Sequence, residues 1–400
     1  MTSASNTHPN HRMEHLDGLR GLAALIVVLT HFFAAFYPYA IFGSGSPRHS
    51  AWGAMLLYPP LGLLVAGHFA VSLFFLLSGY VLSAPLLAKG SPWREIVGSI
   101  VKRPVRLIGI VVATTLISWV LWSFDVYQNN TAARMSGSVW FESFWTPQAP
   151  SLLDLGKQLL TQPFSTASFY NQPMWSIKRE LLGSFLVYGI LLIGQHRLIR
   201  WGLMAAATYW FAGNFYQCFI IGLIIAEVRS WRFMHGASLR MPVWLSMLLM
   251  LVVVVCGSYP KYAISYSMTP ASYWFAPPLA WLGGGWSMLA AIALFLLVLH
   301  APSAQWLLTR RPVQFLGKVS YAMYGLHFLV LGSIGASVFI ASQPYYGYAI
   351  STALSLVSLL FVTLLCAKGL HETVDRAFIA ISRDLGNYVR RLLTPRSARP

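Results

Sequence analysis

Arg20 and His31 stand eleven residues apart in the first long apolar stretch of the chain, residues 19–33. Eleven residues of α-helix turn through about three revolutions, so both side chains share a face and stand ~16 Å apart along the axis. A guanidinium can hold an anion, and an imidazole can exchange a proton near neutral pH. Ionisable groups inside a hydrocarbon layer are costly and usually line a functional cavity. Four further places carry groups that apolar packing does not require. Ser72, Ser78 and Gly79 interrupt the apolar residues 70–79, where small residues also serve close helix contact. Lys102, Arg103 and Arg106 bunch where a helix would meet the membrane surface; arginine suits phosphate geometry, but such clusters also set topology and touch lipid heads. Ser176 and Glu180, at i and i+4, share a helix face. Glu180 is expected at the outer membrane boundary, where pairing with Lys178 or Arg179 is the plain alternative to a chemical role. Ser320, Tyr324 and His327, at i, i+4 and i+7, form a polar stripe on an otherwise apolar helix, as a cavity wall would.

The elements that must position these groups are membrane helices. Hydrophobic residues make up 56% of the 400 residues and charged residues only 10%, against about 25% charged in a soluble domain. The first 18 residues are polar, and no small-residue cleavage site follows the first apolar run, so no cleavable signal is expected. Apolar runs of near-bilayer length predict an all-α, polytopic bundle of about ten transmembrane helices. Their expected bounds are 19–38, 61–83, 105–123, 176–194, 201–213, 214–228, 243–257, 279–299, 319–341 and 347–367. The fifth and sixth are short and are expected as a broken or re-entrant pair. Residues 1–18 then form an N-terminal segment, 19–367 one transmembrane domain and 368–400 a basic tail. Cys218, Cys256 and Cys366 lie scattered in apolar segments, which suits packing rather than a metal site or a disulfide framework.

The basic residues orient the bundle. With the N-terminus placed in the cytoplasm, the cytoplasmic side collects Arg12, Arg20, the cluster from Lys89 to Arg106, Arg197, Arg200, Arg229, Arg232, Arg240, Arg310, Arg311, Lys318 and the residues from Lys368 onward. The outer side has only Arg48, Arg134, Lys157 and Lys261. This asymmetry predicts an even number of spans with both termini cytoplasmic, in a cytoplasmic or inner membrane if the source is bacterial. It also accounts for the net charge of +17 through contact with anionic lipid heads, with no nucleic-acid partner. The longest non-membrane stretch, residues 124–175, mixes Asn129 and Asn130 with Trp140, Phe141, Trp145 and Pro147. Such aromatic groups occur in carbohydrate sites, but interfacial anchoring is the ordinary case. In the tail, the spacing of Val374, Phe378, Ile381 and Leu385 predicts an amphipathic surface helix.

Five elements together resemble the membrane-bound acyltransferase 3 family over residues 13 to about 380. They are Arg20 with His31; Phe74-Phe75-x-x-Ser78-Gly79; Lys102-Arg103-x-x-Arg106-Leu107; Trp175-Ser176-Ile177-x-x-Glu180; and Ser320-Tyr321-x-x-Tyr324-x-x-His327. The resemblance implies O-acylation of carbohydrates and other acceptors, with an acyl donor, usually acetyl-CoA, taken from the cytoplasmic side. The chain departs from the family pattern where Ser72 replaces a frequent acid, where Gly109 follows Arg106-Leu107 in place of a proline, and where Asp375-Arg376-Ala377 replaces a Glu-Arg-Pro pattern.

On that reading Arg20, Lys102, Arg103 and Arg106 hold the CoA phosphates. His31 acts as general base towards the acceptor hydroxyl, or as a nucleophile that carries the acyl group; the sequence does not choose. Glu180 joins His31 as a catalytic candidate. Ser78, Trp175, Ser176, Ser320, Tyr324 and His327 are expected to bind the acceptor, a carbohydrate or glycolipid, or to stabilise the oxyanion. No metal is required. The rival reading is a glycolipid or polysaccharide flippase, which short Gly-interrupted segments such as 201–228 would suit. A glycosyltransferase using a lipid-linked sugar fits less well, because residues 39–60 contain no Asp or Glu.

Overall fold

Apolar residues at helical spacing fold here as helices, and no strand occurs among the described residues. The structure, a computed structural model, describes residues 13–145, 150–161, 170–234, 241–265, 273 and 279–394. Arg12, Pro147, Arg240, the side chain of Arg232 and residues 395–400 lie outside the described set. The longer helices are α1 (Glu14–Phe36), α2 (Gly67–Ala88), α3 (Trp93–Ser123), α4 (Trp175–Ile193), α5 (Arg197–Trp210), α6 (Tyr216–Met234) and α7 (Val243–Gly257). They continue with α8 (Trp286–His300), α9 (Pro302–Leu308), α10 (Arg311–Val330), α11 (Ala336–Leu370) and α12 (Arg376–Leu393).

Every segment expected as a span is represented by helix, but ten bilayer-length spans are not what the described residues present. By length and composition, four helical runs can cross a membrane: α1, α2, α3 and the run Arg311–Leu393. A fifth arises if α8 and α9, bent by 96° at their junction, count as one broken span. The run Arg311–Leu393 turns back on itself. Gly347 has φ 69°, and Ser355 donates to the Gly335 carbonyl at 2.8 Å, although twenty residues of straight helix would hold them ~30 Å apart. Helices α5 and α6, expected as a broken pair, form an antiparallel hairpin clamped by Arg200, whose Nε and Nη2 meet Glu227 at 3.0 and 2.9 Å. The remaining helices fall short because charged residues or early breaks interrupt them, as Lys178, Arg179 and Glu180 do at the start of α4.

Two packing relationships position the site. Helices α1 and α10 run parallel. A Cβ on Gly21 would lie 2.4 Å from the Gly317 backbone nitrogen, so only glycines allow this approach. Ten residues further along each helix, His31 meets His327. The second relationship concerns the tail. It does not lie free on a membrane surface: α12 packs along α3, with Phe378 against Gly109, where a Cβ would stand 2.5 Å from the ring. Ile381 is 53% exposed and keeps the amphipathic character on the opposite face. Gly109, the departure from proline, is therefore the seat of Phe378.

The aromatic residues expected as interfacial anchors turn towards the bundle. Phe141 and Trp145 are buried, Trp145 against Gly332, and Trp140 stacks on His31. Three short helices (Asn129–Ser136, Val139–Glu142 and Leu152–Thr161) fold this stretch back over the bundle, held where Ser136 and Ser138 donate to the carbonyls of Ala35 and Ala34, each at 2.7 Å. Cys218 and Cys256 pack inside as expected, whereas Cys366 is exposed.

Candidate active site

A cleft of ≈ 970 Å³, counted out to its open mouth, lies between the two main apolar clusters, with Phe74 and Tyr321 touching both. Its walls carry Arg20 on α1, Ser78 on α2, Arg103 and Arg106 on α3, Ser176 and Glu180 on α4, and Ser320 and Tyr324 on α10. Five sequence elements separated by up to 300 residues therefore converge on one space. Lys102 does not join them; one position round α3, its stem packs by Gly386 of α12.

The cations are held in different ways. Arg103 pairs with Glu180 and donates from Nε to Ser184 at 2.8 Å. Ser78 donates to the same carboxylate at 2.7 Å. Glu180 is thus paired inside the cleft and not with Lys178 or Arg179; Arg179 instead lies over the Trp175 ring at 4.6 Å. The cause is the depth at which α4 starts. The segment before it dips into the bundle, where Asn171 donates to the Gly325 carbonyl at 2.7 Å and Tyr170 is buried. Glu180, four residues beyond Ser176, then reaches the level of the α3 arginines. Arg106 is bound by Asp375 at 2.6 Å, and the other oxygen of that carboxylate holds His371 at 2.8 Å. Asp375 and His371 occupy a π-helical turn, His371–Asp375, between α11 and α12. The altered Asp375-Arg376-Ala377 pattern was the only sign of them in the sequence. Arg20 lines the same cleft and forms no salt bridge among the described residues.

At the deep end, Ser176 and Tyr324 share a hydrogen bond of 2.9 Å, and Tyr324 donates to the Pro173 carbonyl at 2.8 Å. The Tyr324 ring lies 5.9 Å from that of His327. His327 is fully buried and meets His31, Nε2 to Nδ1, at 2.8 Å. The hydrogen-bond network assigns the tautomers. Nδ1 of His327 faces the Met323 carbonyl at 3.2 Å; a carbonyl only accepts, so this nitrogen carries the hydrogen. Nε2 of neutral His327 is then an acceptor, and His31 donates to it from Nδ1. Nε2 of His31 keeps its lone pair. That is the arrangement of a general base or nucleophile oriented by a second group. His327 is accordingly a partner of His31 rather than a group open to the acceptor, and Trp175 stands outside the cleft against Phe215.

The acyltransferase domain of the acyltransferase 3 family matches residues 13–370. The O-acetyltransferase PaAT-1 of Phomopsis amygdali is 24% identical over 93% of this chain and 84% of its own. The acyltransferase clz18 of Cochliobolus lunatus is 25% identical over 81% and 84%. The acyltransferase R4 of Phoma sp. (strain ATCC 20986 / MF5453) is 24% identical over 92% and 94%. No solved structure gives a significant match. With the family domain spanning nearly the whole chain, the protein belongs to the acyltransferase 3 family of membrane proteins and is an acyltransferase.

Proposed function

We propose that this acyltransferase moves an acyl group, acetyl in the simplest case, from acyl-CoA to a hydroxyl of a carbohydrate or glycolipid acceptor. The observation that carries the reading is the His31–His327 pair, which adjoins Tyr324 in the wall of a cleft that also holds three arginines. Arg20, Arg103 and Arg106 bind the donor phosphates by charge-assisted hydrogen bonds. The thin arm of the donor runs between apolar side chains such as Phe74, Leu107 and Ile177 towards Tyr324.

Nε2 of His31 takes the proton of the acceptor hydroxyl as that oxygen bonds to the thioester carbon. The resulting imidazolium is held by its Nδ1–H bond to His327. Collapse of the tetrahedral centre breaks the C–S bond, and the proton passes from His31 to the departing thiolate, leaving an ester and free CoA thiol. Ser176 and Tyr324 provide the hydroxyl groups nearest this centre, and Ser78 and Ser320 line the approach. The cytoplasmic donor side and cytoplasmic termini follow from the distribution of Lys and Arg. The O-acetyltransferase name of the Phomopsis relative supports acetyl as the group. Transfer of radiolabel from acetyl-CoA to an organic-extractable or glycan fraction by purified protein in vesicles tests the reading. Label in the product only when donor and acceptor occupy opposite sides supports it; flipping of a glycolipid without consumption of acetyl-CoA would overturn it.

A further inference from the structure

Six aromatic side chains form a collar that begins and ends at the histidine pair. His31 stacks on Trp140, with ring centroids 5.6 Å apart. Trp140 meets Phe42 at 6.4 Å, and Phe42 meets Tyr262 at 5.9 Å. Tyr262 lies 5.1 Å from His68, which stacks on Phe215 at 5.8 Å. Phe215 meets Trp175 at 6.1 Å. The next residue, Ser176, bonds Tyr324, whose ring adjoins His327, and His327 bonds His31. The circuit is closed.

Three features separate this circuit from ordinary core packing. First, the six rings come from six segments: the chain after α1, the start of α2, the 124–174 stretch, the start of α4, the turn before α6 and the chain after α7. All lie at the end of the bundle where α1 finishes, opposite the arginines. Second, the rings keep solvent access. Trp140, Phe42, His68, Phe215 and Trp175 are partly exposed and Tyr262 is 42% exposed, whereas Phe32, Phe36, Phe141 and Phe328 beside them are fully buried. Third, polar atoms without partners lie beneath the rim. His68 Nδ1 and Ser258 Oγ are buried and unbonded, and both residues line one small cavity with Tyr262.

We propose that this collar is the acceptor mouth, and that it selects a hydroxyl-bearing ring with an apolar face. Aromatic side chains offer broad apolar surfaces with a preferred stacking geometry, and the unpartnered polar atoms are available to ring hydroxyls. A ring seated there places a hydroxyl over the His31–His327 floor, while Tyr324 and Ser176 divide the mouth from the donor cleft. The shared chemistry can come from a pyranose or from an alicyclic alcohol. The proposal deepens the carbohydrate reading above and rests on it for the reaction, but acceptor binding is measurable on its own.

The test uses the full chain in nanodiscs. Methyl α-glucopyranoside, cyclohexane-1,2-diol and the open-chain polyol ribitol are titrated by quenching of tryptophan emission, for the wild type, Tyr262→Ala, Phe42→Leu and Tyr262→Phe. At least one ring compound is expected to bind about tenfold more tightly than ribitol, the size of effect that ring contacts supply. Tyr262→Ala and Phe42→Leu are expected to remove most of that preference, Tyr262→Phe to retain it, and acetyl-CoA affinity to stay unchanged throughout. The tighter of the two ring compounds identifies the source of the ring. Equal binding of ribitol, no binding of either ring compound, or collar variants that bind rings like the wild type would each overturn the proposal. Ring binding without acetyl-CoA-dependent transfer would uphold the mouth and refute the acyl-CoA reading instead.

Discussion

His31 and His327 share a hydrogen bond between two parallel helices whose numbering offset stays at 296 residues from the Gly21–Gly317 contact up to the pair itself. Constant offset means that α1 and α10 keep their register over ten residues, ~15 Å. Close glycine packing at one level therefore fixes imidazole geometry at another. Gly21→Val, which adds bulk far from the reacting atoms, is expected to part the helices and lower transfer by at least ~100-fold, the scale of a misplacement of about 1 Å. Donor and acceptor titrations of a variant that remains monodisperse check this. Full activity would show that the register is not needed.

His327 accepts the His31 Nδ1–H through its Nε2. His327→Phe keeps an aromatic ring but removes the acceptor for the His31 Nδ1–H. The expected loss in kcat is ~10²–10⁴-fold, comparable to other cases in which a general base loses its orienting partner. The KM for acetyl-CoA is expected to hold, because the proposed donor contacts lie elsewhere. A raised donor KM with normal kcat would instead make His327 a binding residue.

The Arg103–Glu180 pair lies within the cleft, with side chains 15% and 14% exposed. Removing one partner leaves a charge with little water around it, which costs about 3–5 kcal/mol, whereas removing both is often close to neutral. Arg103→Leu and Glu180→Leu are each expected to lower the thermal midpoint sharply, and the double variant to recover most of the loss. Transfer is expected to remain low in all three, because Arg103 is also one of the proposed donor contacts. Additive losses in the double variant would show that the pair is not coupled.

Asp375 is almost wholly buried beside Arg106 and His371. Asp375→Asn keeps the shape and removes the charge that aims the guanidinium. Weaker acetyl-CoA binding is expected, by about 10–150-fold if one charge-assisted contact to the donor is lost with it. His371→Ala is expected to give a smaller change of the same sign. Donor affinity measured by calorimetry separates this from a loss of folding, which would abolish binding of both substrates.

Much of this site was legible in the sequence because its residues sit at helical spacings on apolar segments. Arg20 and His31 lie on one unbroken helix, and on another Ser320 and Tyr324 line the cleft while His327, beside Tyr324, meets His31. What spacing could not supply was depth. Glu180 looked like a boundary carboxylate because Lys178 and Arg179 adjoin it, yet the descent of the Asn171 segment carries α4 inward to Arg103. Trp140 gave the signal of an interfacial anchor, since composition alone does not show a loop folding back over His31. Among the described residues fewer helices than the ten expected are long enough to cross, for a related reason: apolar runs such as α7 and α8 are long enough to be noticed but too short to cross alone.

Whether Nε2 of His31 carries transfer from acetyl-CoA to an acceptor hydroxyl can be read from one comparison. Membranes containing the wild-type protein or His31→Ala, at equal abundance and equal acetyl-CoA affinity, are supplied with labelled acetyl-CoA and methyl α-glucopyranoside, and acetyl ester in the glycoside and lipid fractions is counted. Ester formation is expected for the wild type, with a loss of at least ~100-fold in the variant. Ester formed at a similar rate by His31→Ala would contradict it.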